Sequence, residues 1–79
     1  MRVLVTGATG YVGGRLVPAL LREGDEVRCL TRSAERLRDL PWRSQVEIAE
    51  GDVLDRPALV DALRDVDVTY YLVHALGSG

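Results

Sequence analysis

An α/β fold built on an open, all-parallel sheet is predicted by two features of the 79 residues. An apolar run, Val3-Leu4-Val5, passes through glycines at positions 7, 10 and 13 into a helix-like pattern, which reads as strand, tight turn, helix. Strand-like and helix-like segments then alternate to the end of the chain, in the order βαβαβαβ, which implies parallel strands joined by right-handed crossovers. The doubly wound arrangement of such units gives the spatial order 3-2-1-4, with a ligand crevice between the first and fourth strands.

The first strand is expected from about Arg2 to Thr6; its unbroken apolar character suits a strand covered on both faces. Gly7 lets the backbone leave that strand in a sharp turn. Gly10 removes a Cβ where a ligand must come close, and Gly13 lets the helix pack tightly on the sheet. The unpaired amides and positive dipole end of that helix make an anion site. The competing reading is a plain turn whose glycines serve packing only; the strand and helix on either side argue against it.

The first helix carries Val12, Leu16, Ala19 and Leu20 as an inward stripe and stops near Glu23, with Gly24 as a left-handed cap. Pro18 within it is expected to bend it. A second strand runs from Val27 to Thr31, and Ser33 is a candidate N-cap for a short helix from Ala34 to about Leu40, ended by Pro41. Trp42 is expected to pack over that helix end. Val46 to Ala49 reads as the third strand, leading into Gly51-Asp52-Val53. Asp55 caps a third helix with Pro57 in its first turn and Leu59, Val60 and Leu63 facing inward. The last strand is Val66 to Val73.

Composition narrows the function classes. With 47% hydrophobic and 28% charged residues the chain is globular in character. Ten basic and twelve acidic residues give a net charge of −2, which argues against general nucleic-acid binding. Every basic residue is Arg; the fork of Arg suits phosphate, although a GC-rich genome gives the same bias. The single Cys29 has no disulfide partner and reads as a small core residue in a reducing, cytoplasmic setting. No stretch is long enough for a membrane span, and Met1-Arg2 leads at once into the first strand, so no leader is expected.

One feature of the pattern points beyond these residues. In the order 3-2-1-4 the fourth strand, Val68-Thr-Tyr-Tyr-Leu-Val73, would present an exposed apolar edge. Residues 1–79 are therefore expected to be the amino-terminal part of a nucleotide-binding domain, weakly stable in isolation; a homodimer formed through that edge is the competing explanation.

Thr6-Gly-Ala-Thr-Gly-Tyr-Val-Gly13 resembles the opening of the extended and atypical short-chain dehydrogenase/reductases, and is most similar to their NAD(P)H-binding, NmrA-like branch. Arg15-Leu-Val-Pro-Ala-Leu-Leu21, Val27-Arg-Cys-Leu-Thr-Arg32, Gly51-Asp-Val53 and Tyr70-Tyr-Leu-Val-His-Ala75 add to the likeness. The resemblance implies an incomplete Rossmann-like doubly wound sheet. In it Gly7, Gly10 and Gly13 shape the turn, and amides near Thr9, Gly10, Tyr11 and Val12 hold a pyrophosphate. The position after the second strand selects the cofactor. Thr31-Arg32-Ser33 stands where an acidic residue would serve NAD, so Arg32, with Ser33, favours NADP over the alternative NAD. A solvated Arg32 is the bland reading, and Glu35 is a rival contact for ribose hydroxyls. Asp52 would meet the adenine amino group with Val53 beside it, or else act as a loop carboxylate only. Val73 and His74 would face the nicotinamide half; a lone His excludes a metal cluster and a triad within these residues. Tyr11, Tyr70 and Tyr71 are expected to pack or line the edge of the site.

The superfamily's catalytic Tyr-x-x-x-Lys has no counterpart here, so no catalytic residue is named. The resemblance implies an NADP-dependent oxidoreductase acting on a small molecule when full length. The alternatives are a non-catalytic dinucleotide sensor and an assembly protein.

Overall fold

A computed structural model describes residues 1–8 and 10–72. Four strands, β1 (Arg2–Thr6), β2 (Glu26–Thr31), β3 (Glu47–Glu50) and β4 (Val68–Tyr71), form one sheet in the order β3-β2-β1-β4. Every pairing is parallel, as the alternation of elements predicts. Helix α1 (Tyr11–Arg22) links β1 to β2, and helix α2 (Arg56–Ala62) links β3 to β4.

The register puts Val3 beside Val27 and Val68, and Val5 beside Cys29 and Tyr70, so the odd-numbered residues of β1 share one face with those of β2. That face carries the larger core: Val3, Val5, Val27 and Cys29 pack with Val17 and Leu20 of α1 and with Leu37 and Trp42. The opposite face is thinner, with Leu4, Leu30 and Ala62 buried and Val53, Leu59 and Val66 partly so. Being central, β1 is covered on both sides, which is why its sequence is an unbroken apolar run.

The predicted inward stripes hold in part: Leu20 is buried, and Leu16 and Leu59 pack against the core. Val12, Val60 and Leu63 were expected to face inward and are exposed. The buried stripe of α1 is Gly13, Val17 and Leu20, because the helix comes closest to the turn after β1 at Gly13, the residue without a side chain. In α2 the buried residue is Ala62, and a methyl built on Gly51 would lie 2.6 Å from Ala58 Cβ. Small residues one turn apart thus draw α2 down, and the larger Val60 and Leu63 are left outside. Helix α1 continues unbroken through Pro18 and closes with Gly24 at φ +89°. The amides of Gly24 and Asp25 bond the carbonyls of Leu21 and Leu20, both at 3.1 Å, a Schellman arrangement.

The predicted middle helix is replaced by two 3₁₀ turns, Ala34–Leu37 and Arg43–Gln45. Leu37 and Trp42 are both buried on the sheet, and anchoring two large side chains on either side of Pro41 leaves no length for a regular helix. Trp42, at 5% exposure, belongs to the main core and not to a helix end. Ser33 occupies the N-cap position of the first turn, but its side chain makes no cap bond. Glu50 of β3 does that work, its Oε2 accepting from the Ala34 amide at 2.8 Å.

Two arginines tie the sheet to its connections. Arg28, on the thin face, donates through Nη1 to the carbonyls of Ala62 (2.7 Å) and Arg64 (2.9 Å) and through Nε to Glu47 (2.9 Å). A cation thereby sits at the carboxyl end of α2, where carbonyls lack helical partners. Arg2 receives β4: its amide donates to Asp67 Oδ2 at 2.9 Å, and its carbonyl accepts from the Asp67 amide at 2.8 Å. Beyond β1, β4 has no further strand partner among the described residues. No described helix is long and apolar enough to cross a membrane.

Candidate functional site

The site is built on the turn that follows β1. Gly7 lies at φ +76°, and a methyl there would collide with the Leu72 carbonyl at the end of β4. A methyl on Gly13 would stand 2.5 Å from the Gly7 carbonyl oxygen and 2.6 Å from Ala8 Cα. These two glycines are therefore required by the protein's own packing. Gly10 differs: a methyl there would meet only the Gly7 carbonyl oxygen, at an ordinary 3.5 Å. Nothing in the described packing demands glycine at position 10, which is what a close approach from outside the chain would leave behind.

The start of α1 is open. No side chain caps Gly10, and among the described residues the amides of Tyr11, Val12 and Gly13 bond no acceptor outside the helix. Helix α2 has no such vacancy, since the Asp55 side chain accepts from the Ala58 amide, as its sequence predicts.

Beside this turn, across the carboxyl ends of all four strands, lies a cleft of about 210 Å³. Gly7 and Gly51 form its close-packed walls, and Leu30, Val53 and Leu72 supply apolar surface. Its charged members are Arg32, Arg36 and Asp52. Thr6 fixes the junction of β1 and β4: its buried hydroxyl accepts from the Leu72 amide at 3.1 Å. Thr31 does the same for the loop after β2, its hydroxyl donating to the Ser33 carbonyl (3.1 Å) and accepting from the Ser33 amide (3.3 Å).

Among the described residues neither Arg32 nor Arg36 has a carboxylate within ion-pair distance. Glu35, the rival of Arg32 in the sequence, is turned to Arg38 with 3.0 Å between charged atoms and does not line the cleft. Asp52 accepts from the Leu54 amide at 3.0 Å, which holds its carboxylate in an Asx turn. Burial pushes the Cys29 thiol up to about 12, against a slight lowering by Arg43, so Cys29 is a core residue and not a nucleophile.

Of the residues singled out in the sequence, Gly7, Arg32, Asp52 and Val53 line the cleft. Gly10, Tyr11, Val12 and Gly13 form the adjoining helix start without lining it, and Ser33 contributes backbone bonds to the neighbouring loop. Tyr11 is exposed, its hydroxyl accepting from Arg15 Nη1 at 3.0 Å while the guanidinium carbon stands 5.2 Å from the ring centroid. Thr9, Val73 and His74 lie outside the described residues. Tyr71, expected at the edge of the site, is on the cleft wall, whereas Tyr70 is not. Arg36, in the 3₁₀ turn Ala34–Leu37, was missed, and nothing in its sequence surroundings distinguishes it from a solvated arginine.

The family model described as NAD(P)H-binding matches residues 7–79. A sterol demethylase protein B from Methylococcus capsulatus is 44% identical over 71 residues, covering 90% of this chain and 21% of that protein. A 3 beta-hydroxysteroid dehydrogenase/Delta 5-->4-isomerase from Mycobacterium tuberculosis is 37% identical over 70 residues, covering 89% of this chain and 18% of its own length. Among solved structures, a short-chain dehydrogenase/reductase superfamily protein from Agrobacterium tumefaciens with bound NAD superimposes with a TM-score of 0.74 at 29% identity, over 100% of this chain and 22% of that one. The chain thus spans about a fifth of the length of the curated relatives it matches.

Proposed function

Because the chain belongs to the NAD(P)H-binding family, we propose that it supplies the dinucleotide site of an NADP-dependent oxidoreductase acting on a small molecule. The observation that carries the choice of NADP is Arg32, which stands on the cleft wall without a carboxylate partner among the described residues while Glu35 is engaged by Arg38. A carboxylate at that place would serve free ribose hydroxyls; a guanidinium serves a 2′-phosphate.

The residues fit such a cofactor by the chemistry of their donors. The uncapped amides at Tyr11, Val12 and Gly13 suit a pyrophosphate, which is the anion a helix start favours. Gly10 leaves room for it. Asp52, fixed by the Leu54 amide, offers its carboxylate to an exocyclic amine, and Leu30 and Val53 give a base an apolar surface. When bound, the nicotinamide supplies hydride transfer; these residues contribute binding and orientation. Reductase activity is supported by relatives whose names include a dehydrogenase.

The test is titration of the full-length protein with NADPH and NADH, repeated with Arg32→Ala. Tighter binding of NADPH is expected, and the substitution should remove about 1.5–3 kcal/mol from it, the worth of a hydrogen bond to a charged group. Equal binding of both nucleotides by the unaltered protein would refute the NADP choice. Oxidation of NADPH by the same preparation with carbonyl substrates tests the reaction class.

A further inference from the structure

Two separate connections build one wall of the cleft. Thr31, Arg32 and Arg36 come from the end of β2 and the loop after it, and Gly51, Asp52 and Val53 from the loop after β3. The ladder between these strands ends where Thr31 pairs with Glu50, and the Gly51 amide adds a last bond to the Thr31 carbonyl at 2.8 Å. Beyond it one bond crosses from β3 to the loop: Glu50 Oε2 accepts from the Ala34 amide at 2.8 Å. Among the described residues the other hydrogen bonds of residues 32–37 are local. They join Ser33 to Thr31, Arg36 to Ser33, Arg38 to Glu35 and Leu40 to Leu37. The buried side chain of this segment is Leu37, at its far end. Ala34 lies between Arg32 and Arg36, so the bond from Glu50 falls within the stretch that forms the wall.

We infer that Glu50 is a positioning residue of the nucleotide site: its carboxylate holds the loop after β2 in place against Asp52 and Val53, without itself touching the ligand. The role rests on the dinucleotide reading above but not on the choice between NADPH and NADH. A 3₁₀ turn as short as Ala34–Leu37 has poor hydrogen-bond geometry and does little to hold itself. The amide at its start has no partner inside the turn, and a carboxylate gives that amide a charge-assisted bond. Without the acceptor the Ala34 amide turns to water and the loop leaves the wall for part of the time. The apparent dissociation constant then rises by the inverse of the fraction of time the loop is in place. A bond to a charged group shifts such an equilibrium by about tenfold or more. The charge of Glu50 by itself disfavours an anionic ligand, so any benefit to binding comes through the bond it accepts.

The experiment titrates NADPH and NADH by calorimetry into the full-length protein, unaltered and as Glu50→Ala and Glu50→Gln, with urea unfolding of each alongside. Glu50 is exposed, so neither change opens a cavity in the core. Glu50→Ala, which has no acceptor, should weaken the better-bound nucleotide about tenfold and speed hydrogen exchange at the Ala34 amide. Glu50→Gln keeps an acceptor oxygen without the charge and should bind within about threefold of the unaltered protein. If Glu50→Ala loses urea stability but binds within about twofold, the bond serves the fold alone and the inference is overturned. If Glu50→Gln weakens binding as much as Glu50→Ala, the accepted bond is not what counts and the inference fails. Tighter binding by Glu50→Ala would show that charge repulsion outweighs the bond, which also overturns it. If the unaltered protein binds neither nucleotide, the dinucleotide reading falls and takes this inference with it; that result is read before any variant is compared.

Discussion

Two adjacent glycines in α1 should respond to the same substitution with opposite signs. Gly13→Ala places a methyl 2.5 Å from the Gly7 carbonyl oxygen and 2.6 Å from Ala8 Cα, both backbone atoms that no rotamer change can move. Gly14→Ala places the same methyl in space with nothing within 4 Å. Each change gains about 0.5–1 kcal/mol because alanine loses less backbone freedom than glycine on entering a helix. At Gly14 that gain stands alone. At Gly13 it is opposed by overpacking, which costs about 1–3 kcal/mol, and a clash with fixed backbone belongs at the upper end. The net expectation is a gain of about 0.5–1 kcal/mol at Gly14 and a loss of about 2 kcal/mol at Gly13. Urea unfolding followed by emission of the single Trp, buried Trp42, reads both values. If Gly13→Ala were as stable as Gly14→Ala, the close approach of α1 to the glycine turn would not be the reason for glycine there.

Three further outcomes follow from other contacts. Arg28→Met removes two charged hydrogen bonds to the carbonyls of Ala62 and Arg64 and should cost about 1.5–3 kcal/mol, whereas Glu47→Gln, which touches only the exposed ion pair, should cost less than about 1 kcal/mol; equal losses would mean that the cap on α2 contributes nothing. Gly7→Ala forces a side chain into the left-handed region, at about 1–2 kcal/mol, and against the Leu72 carbonyl besides, so it should lose more than that figure in urea unfolding. Cys29 has a thiol raised from 9.0 to about 12 in the folded state. Its contribution to stability is therefore whole below pH 9 and declines as pH rises toward 12, by on the order of 1 kcal/mol per pH unit. Cys29→Ala should flatten the fall in urea stability between pH 9 and 11, and an unchanged slope would show that the thiol is not what titrates.

The parts of this structure that were legible in the sequence are those fixed by neighbours along the chain. The order of the strands follows from the alternation of elements and the hand of the crossover, and the Asp55 cap lies three residues from the amide it serves. What the pattern could not give depends on residues far apart. The cap at Ala34 comes from Glu50, 16 residues away, so the polar Ser33 immediately before the turn was a misleading local signal. The partners of Arg28 lie 34 and 36 residues on, and nothing near Arg28 distinguishes it from a solvated side chain. Helix phase holds at Leu16, Leu20 and Leu59 but not at Val12, Val60 and Leu63, because counting apolar positions gives least weight to the small residues Gly13, Ala58 and Ala62 that set the packing. The cleft shows the same division. Arg32 is favoured in the sequence with Glu35 as a rival close by, and the structure separates them: Arg32 lines the cleft with no described carboxylate partner, whereas Glu35 lies off the wall and is paired with Arg38. For charged residues on a cleft wall, function is therefore better read from the interactions the chain leaves unmade than from residue type. On this wall Arg32 and Arg36 have no carboxylate partner among the described residues, whereas Glu35 is paired and lies off it.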